Sequence, residues 1–216
     1  AKQVCMQLER LKTDMDEKAI SNREKILKTA TQLFAERGFS AVSQREIAAA
    51  VGIKAASIYN HFPSKDAILE EIIKRLSIDL EESLRPVYEP EELISLRAYI
   101  EGITATSDAY FAADAQLNLG IILMREQFFN AVVREMLYKM MILRPREAMS
   151  GYFSRLMKAG KMRNGDPLFA AKEYHSFYVY EFYENALSFD ILPESAEPSE
   201  SGRVHLDRFI ESWEIE

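Results

Sequence analysis

Residues 38–69 read GFSAVSQREIAAAVGIKAASIYNHFPSKDAIL, and the spacing inside this stretch decides the fold. Ser43 stands three residues before Glu46, which is capping-box spacing: the Ser hydroxyl accepts from the Glu46 amide while the Glu carboxylate reaches back to the amide of Ser43. The helix so opened runs from about Gln44 to Val51 and stops at Gly52. After the turn Gly52-Ile53-Lys54, a second short helix is expected from Ala55 to about His61, and Pro63 bars its smooth continuation. Ile47 and Ala48 face inward, Ala48 being small enough to let the two helices approach, and Ile53 and Ile58 fill the space between them. Ser64 then caps a long helix that starts KDAILEEIIKRLSIDLEESL, with Ile68, Leu69, Ile72, Ile73, Leu76 and Leu80 as its apolar stripe.

On the N-terminal side, Ile26, Ala30, Leu33, Phe34 and Arg37 recur at steps of three and four, predicting a helix over 22–37 that ends at Gly38. Beyond Pro86 the helical period continues over about 91–109, 113–126, 130–160 and 166–188, with no sustained period-two alternation. The fold class expected is therefore all-α. Pro145 marks a kink or break inside the third of these segments, and Asp166-Pro167 opens the fourth as N-cap and first helical residue. Ser188 to Gly202 reads as a Pro-, Ser- and Glu-rich linker, followed by a last helix over 203–214. Residues 1–19 place Val4, Leu8, Leu11 and Met15 on one face, so this segment is either a short extra helix or a disordered arm.

The chain of 216 residues is 48% hydrophobic and 28% charged, a composition able to bury a substantial core. A single cysteine, Cys5, excludes an internal disulfide framework and, without ligand-spaced neighbours, gives no reason to expect zinc or any other metal. No run approaches the roughly 18 apolar residues of a membrane span, and Lys2, Glu9, Arg10 and Lys12 lie where a signal peptide needs an apolar block. The expectation is a cytoplasmic protein without a membrane partner. The net charge of −7 hides an asymmetry: residues 20–75 carry nine Lys or Arg against six Asp or Glu, whereas residues 76–216 carry fourteen against twenty-four. A basic end on an acidic body suits a nucleic-acid partner.

The trihelical unit over 22–62 has the sequence layout of a helix-turn-helix, in which the helix 44–51 crosses the DNA backbone and the helix 55–61 enters the major groove. The stretch closely resembles the tetracycline-repressor (TetR) family, through Gly38, Ser43, Ile47, Ala48, Gly52, Ile58, Tyr59, His61, Phe62, Ser64, Lys65 and Asp66. The resemblance is strict over about 50 residues, and the remainder agrees only in length and helical pattern. It implies about nine helices: an N-terminal extension (1–19), a three-helix DNA-binding unit (20–64), and a helical effector-binding and dimerisation domain (65–216). It also implies a homodimer on a palindromic operator in double-stranded DNA, released by a small-molecule effector that moves the helix 65–84 as a lever. Two departures stand out. Lys54 replaces the usual small polar cap of the recognition helix, and Ala56 occupies a position where Gly is common.

Carried over position by position, the family's DNA contacts fall on Ser43, Gln44, Arg45, Lys54, Ala55, Ala56, Ser57, Tyr59, Asn60, His61 and Lys65. Ser43, Tyr59, His61 and Lys65 suit phosphate oxygens, which position a protein without reading sequence. Gln44, Arg45, Ser57 and Asn60 suit base edges, and the methyls of Ala55 and Ala56 suit thymine. Plainer roles compete with these: Tyr59 and Phe62 as core aromatics, and Lys65 and Arg45 as solvated charges. Phe62 is read as core and left out of the site.

In the body, Tyr174, His175, Phe177, Tyr178, Tyr180, Phe182 and Tyr183 surround most of one helix, which must then be buried on several sides, as core or as dimer interface. Candidate effector anchors are Tyr110, Arg125, His175 and Tyr178, with Phe111, Leu119, Leu123, Phe128, Met141 and Phe153 as candidate apolar walls. No catalytic residues, cofactor or metal site is assembled: His61, His175 and His205 are the only histidines, and HExxH, GxSxG and Gly-rich phosphate loops are missing. The expected function is a ligand-responsive repressor rather than an enzyme. A DNA-binding activator or nucleoid-associated protein without a small ligand shares the same reading unit and is the alternative.

Overall fold

A computed structural model of the chain describes residues 21–111, 114–187 and 199–215. Among these residues the structure is all-helical: α1 (Asn22–Arg37), α2 (Gln44–Val51), α3 (Ala55–Ile58), α4 (Lys65–Tyr88), α5 (Leu96–Phe111), α6 (Asp114–Glu126), α7 (Ala131–Leu137), α8 (Arg144–Lys158), α9 (Pro167–Leu187) and α10 (Glu200–Trp213). A π-helical stretch, Tyr138–Leu143, joins α7 to α8 without a gap, so the ten segments make nine continuous rods. The sole extended pairing among the described residues is an isolated bridge between Met162 and Glu214. No described helix is long and apolar enough to cross a membrane. The chain divides into two compact units, one ending at Ile72 and the other starting at Ile73. The expectations for residues 1–19 and for the linker over 188–198 lie outside the described residues.

The first unit closes on Ile26, Leu27, Ala30, Phe34, Val42, Ile47, Ala48, Ile58, Phe62, Ile68, Leu69 and Ile72, all buried. Leu33 and Ile53, expected among them, are only half-buried. Each helix end has a chemical cause. The Ser21 hydroxyl accepts from the Glu24 amide at the start of α1, and Gly38 ends that helix at φ 84°. Gly52 is left-handed at φ 79°, a conformation that an L side chain would strain. Its neighbour Ile53 donates its amide back to the Ala48 carbonyl, satisfying an orphan of α2. The second short helix differs from expectation. True α-helix covers only Ala55–Ile58, and the turn is completed by tighter bonds, Asn60 to Ser57 and His61 to Ile58. Three-residue bonding lets the chain reach Pro63 without the clash that a longer α-helix would meet.

The second unit packs α8 against α9, with α4, α5 and α10 around them. Tyr99 and Tyr152 stack at 3.8 Å between ring centroids. Their hydroxyls donate to the carbonyls of Tyr88 and Ile94 at 3.2 and 2.9 Å, so neither buries an unpaired oxygen. Burial pushes the Tyr99 hydroxyl far above its ordinary range. Arg144 forks onto Glu81 with bonds of 2.7 and 2.9 Å and reaches Glu89 at 2.7 Å, tying the start of α8 to α4.

Four helix boundaries depart from the periodicity. The helix expected from 91 starts at Leu96, where the Ser95 hydroxyl caps it through the Ala98 amide. The last helix starts at Glu200 rather than 203, because the Ser199 hydroxyl accepts from the Gly202 amide at 2.9 Å. Helix α4 passes through Pro86 and ends only at Tyr88, the ladder resuming past the proline with the Glu89 amide donating to the Arg85 carbonyl at 3.0 Å. Pro145 has no amide to donate to the carbonyl four residues before it, and the ladder preceding it widens to five-residue spacing, with the Arg144 amide donating to the Lys139 carbonyl. Asp166 caps α9 as expected, accepting from the amides of Leu168 and Phe169.

The C-terminal turn is locked. Arg163 donates to the Trp213 carbonyl, Ile215 to the Lys161 carbonyl, and Glu214 accepts from the Leu96 amide at the start of α5. The Trp213 indole donates to Glu173 at 3.0 Å and lies over Gly165, where an added Cβ would come within 2.9 Å of the ring. Gly165→Ala should therefore destabilise the fold by about 1–3 kcal/mol through overpacking and shift the emission of Trp213, the chain's single tryptophan. Unchanged melting and emission would show that the ring is not held as described.

Candidate nucleic-acid interface

The residues that carry the DNA-reading expectation are presented by a short frame. Ser43 and Glu46 form the full capping box: the Ser hydroxyl accepts from the Glu46 amide at 3.3 Å, and Glu46 Oε2 accepts from the Ser43 amide at 2.8 Å. The other carboxylate oxygen accepts from Arg37 at 2.7 Å, which fixes the end of α1 to the start of α2. Arg37, expected on the helix face, instead turns to this carboxylate and to the Ala41 carbonyl. The Arg37 guanidinium and the Ser43 donors hold the Glu46 carboxyl down at about 2.

Around this frame the expected site residues separate by exposure. Arg45, Lys54, Ala55, Ala56, Tyr59 and Asn60 are exposed, and Ser57 and His61 are half-buried. Tyr59 is 52% exposed while Phe62, three residues on, is 3% exposed, which removes the core reading of Tyr59 and confirms it for Phe62. Lys54 occupies the N-cap of α3 with no side-chain hydrogen bond to the helix, so its ammonium projects without a capping duty. α3 and its flanking residues thus offer a cation, two methyls, a hydroxyl, a phenol and an amide over residues 54–60.

Three expected contacts have internal partners. The Ser43 hydroxyl donates to Glu46 at 2.8 Å. The Gln44 amide donates to the Phe62 carbonyl at 3.2 Å, joining the start of α2 to the end of the α3 turn. Lys65 donates to the carbonyls of Phe39 and Val42 at 2.7 and 2.8 Å, with its ammonium 4.2 Å from the centre of the Phe39 ring. Arg23, which sequence reasoning passed over, lies over the Phe62 ring and pairs with Glu71 at 3.0 Å, holding α1 against α4. A lone arginine in an amphipathic helix carries no signal for such a role, because its partners are set by tertiary packing.

The candidate effector anchors sit in the second unit. Tyr110 is half-buried and its hydroxyl donates to Asp79 at 3.3 Å. Arg125 is exposed in the last turn of α6. Tyr178 is half-buried and shares a 2.7 Å hydrogen bond with the Tyr174 hydroxyl. His175 is buried with its Nδ1 unpartnered, and burial together with nearby Arg146 pushes its pKa down to about 4, leaving the ring neutral near pH 7. Of the candidate walls, Leu123 is buried and Leu119 and Met141 are half-buried, whereas Phe153 is closed core and Phe128 is 72% exposed. The side chain of Phe111 lies outside the described residues.

Residues 26–72 match the family of bacterial regulatory proteins termed the tetR family. Over these residues the chain carries a tetR-family segment. The HTH-type transcriptional repressor KstR2 of Rhodococcus jostii is 39% identical over 93 residues, covering 43% of this chain and 44% of that one. The HTH-type transcriptional regulator UidR of Escherichia coli is 32% identical over 125 residues, 57% of this chain and 61% of that one. The matches thus span about half the length of these relatives. Among solved structures, Salmonella enterica GusR superposes with a TM-score of 0.63 at 26% identity, covering 88% of this chain and 94% of that one. The TetR-family match falls on the unit that holds the capping box and the α2–α3 turn.

The depressed Glu46 value carries a pH prediction. Because the folded carboxyl ionises below the unfolded one, the capping box contributes fully above the ordinary glutamate range and is lost as pH falls towards 2. Carboxyl-detected NMR should place the Glu46 midpoint near 2, and Arg37→Ala should move it upwards. An ordinary midpoint in the unsubstituted protein would rule out the Arg37–Glu46–Ser43 network in solution.

Proposed function

We propose that this chain is a transcriptional regulator that binds double-stranded DNA as a homodimer and acts as a repressor released by a small-molecule effector, in the cytoplasm and without catalytic activity. The observation that carries the reading is the exposed face of α3 and its following turn, Lys54, Ala55, Ala56, Tyr59 and Asn60, held on a capped and hydrogen-bonded frame. Phosphate-directed groups and base-directed groups lie together there within seven residues, as a major-groove reader requires. Arg45 adds a fork suited to guanine or phosphate at the start of α2.

Support for the homodimer comes from the second unit. Leu168, Phe169, Tyr180 and Tyr183 on α9 and Val204 on α10 are exposed apolar side chains on the two helices that the family resemblance pairs with a second copy. The relatives KstR2 and UidR carry the names repressor and transcriptional regulator, which fits the same role. In this reading Tyr110, Arg125, His175 and Tyr178 supply polar contacts to the effector. The effector acts by preferring the state whose recognition helices are mis-spaced for grooves about 34 Å apart.

Selection of bound sequences from random duplex DNA at near-physiological salt tests the proposal. The expected result is enrichment of a palindromic site, abolished by Tyr59→Ala combined with Asn60→Ala while the helical content is retained. Absence of enrichment with a folded dimer would contradict it. On the enriched duplex, Lys54→Ser should weaken binding yet raise fold stability by about 0.5–1 kcal/mol, because a serine caps the helix that Lys54 leaves uncapped. Denaturant titration beside DNA titration reads both effects.

A further inference from the structure

The basic side chain at the start of α4 is an obvious phosphate contact by residue type, yet its surroundings give it other work. An ammonium has three donors. Two of them, on Lys65, are spent on the carbonyls of Phe39 and Val42 at 2.7 and 2.8 Å, and the charge faces the Phe39 ring at 4.2 Å. The side chain is half-buried, unlike the exposed Arg45 and Lys54. On the far side of the same loop, Arg37 donates to the Ala41 carbonyl and to Glu46, whose other oxygen takes the Ser43 amide. The loop between α1 and α2 therefore has three of its carbonyls, at 39, 41 and 42, held by cations from α1 and α4. The next residue is the N-cap of α2.

We propose that Lys65 is a positioning residue rather than a DNA contact: it sets the loop 39–42, and through it the entry angle of α2 and the aim of Ser43 to Arg45. The inference rests on the DNA-binding reading above and assigns a role within that site. A phosphate contact that is lost weakens binding by a similar factor on all sequences and lowers the slope of log affinity against log salt by about 0.9. A positioning residue that is lost blurs the alignment of the reading helices. Discrimination between a correct and an incorrect sequence then falls while the number of neutralised phosphates is unchanged.

The experiment compares Lys65→Met with Lys54→Met on two probes, a palindromic duplex recovered by selection and a mixed-sequence duplex of the same length, across about 50 to 200 mM salt, the range in which phosphate contacts dominate. Lys65→Met should keep the salt slope of the unsubstituted protein and lose preference for the palindrome. Lys54→Met should lower the slope by about 0.9 on both duplexes. A slope reduced by that amount in Lys65→Met, with preference retained, would overturn the proposal. Should Lys65→Met fail to fold, nitrogen-detected NMR of the lysine ammonium groups in the unsubstituted protein decides. A slowly exchanging Lys65 signal, present without DNA and unmoved by it, supports the assignment, and a signal that appears or shifts only with DNA refutes it. If the unsubstituted protein binds neither duplex, the DNA-binding reading fails, and the free-protein ammonium signal still reports on the loop clamp.

Discussion

An eight-residue helix cannot sustain itself in water, because its nucleation cost is spread over too few backbone bonds and half of its polar groups lie at the ends. Everything proposed for the first unit depends on how α2 escapes that constraint. At its N-terminus Ser43 and Glu46 satisfy each other's backbone donors, and Arg37 neutralises the carboxylate that does so. At its C-terminus Gly52 adopts the left-handed conformation and Ile53 closes the last turn. Ile47 and Ala48 then bury one face completely. The still shorter α3 borrows its order from this frame, through buried Ile58 and Phe62 below and the Gln44 bond to the Phe62 carbonyl across the turn. A surface made of so few residues can be specific only if its support is rigid, and here directional bonds add to the burial of a few side chains to supply that support.

The second unit solves a different problem with different means. Its core is rich in tyrosine, and each fully buried phenol must find an acceptor or forfeit the desolvation of its hydroxyl. Tyr99 and Tyr152 do so on backbone carbonyls outside regular pairing, at Tyr88 and Ile94, the same stretch where α4 ends and α5 has yet to begin. The aromatic rings thus fasten this irregular connection. His205 stacks on Phe177 at 4.4 Å and hydrogen-bonds the Tyr174 carbonyl, binding α10 to α9 by the same combination of ring face and backbone oxygen. His175 departs from this pattern, neutral and with an unpartnered nitrogen.

Most of the first unit was legible in the sequence because its determinants are local: a capping box, two glycine stops, a proline bar and a serine cap are all read from neighbours within four residues. The all-helical class and the cap of α9 at Asp166 were legible for the same reason. Boundaries at Leu96 and Glu200 were missed where a serine cap lay inside a segment already polar, at Ser95 and Ser199, so periodicity could not mark the start. The passage of α4 through Pro86 and the π-helical stretch before Pro145 depend on how the ladder absorbs a missing donor, which residue type leaves open. The tasks of Lys65, Gln44 and Arg23 were illegible because their partners are backbone carbonyls, a ring face and an acid far along the chain. Exposure keeps Tyr59 at the surface and Phe62 in the core, the same division that the sequence reading made.

Amide NMR of the protein titrated with the selected duplex tests the central claim most directly, since it maps the contacted surface without presuming any one residue. The largest changes should fall on Ser43 to Arg45 and Lys54 to His61, with residues 199–213 little altered. Changes concentrated in the second unit, or none in Lys54 to His61 at saturation, would contradict it.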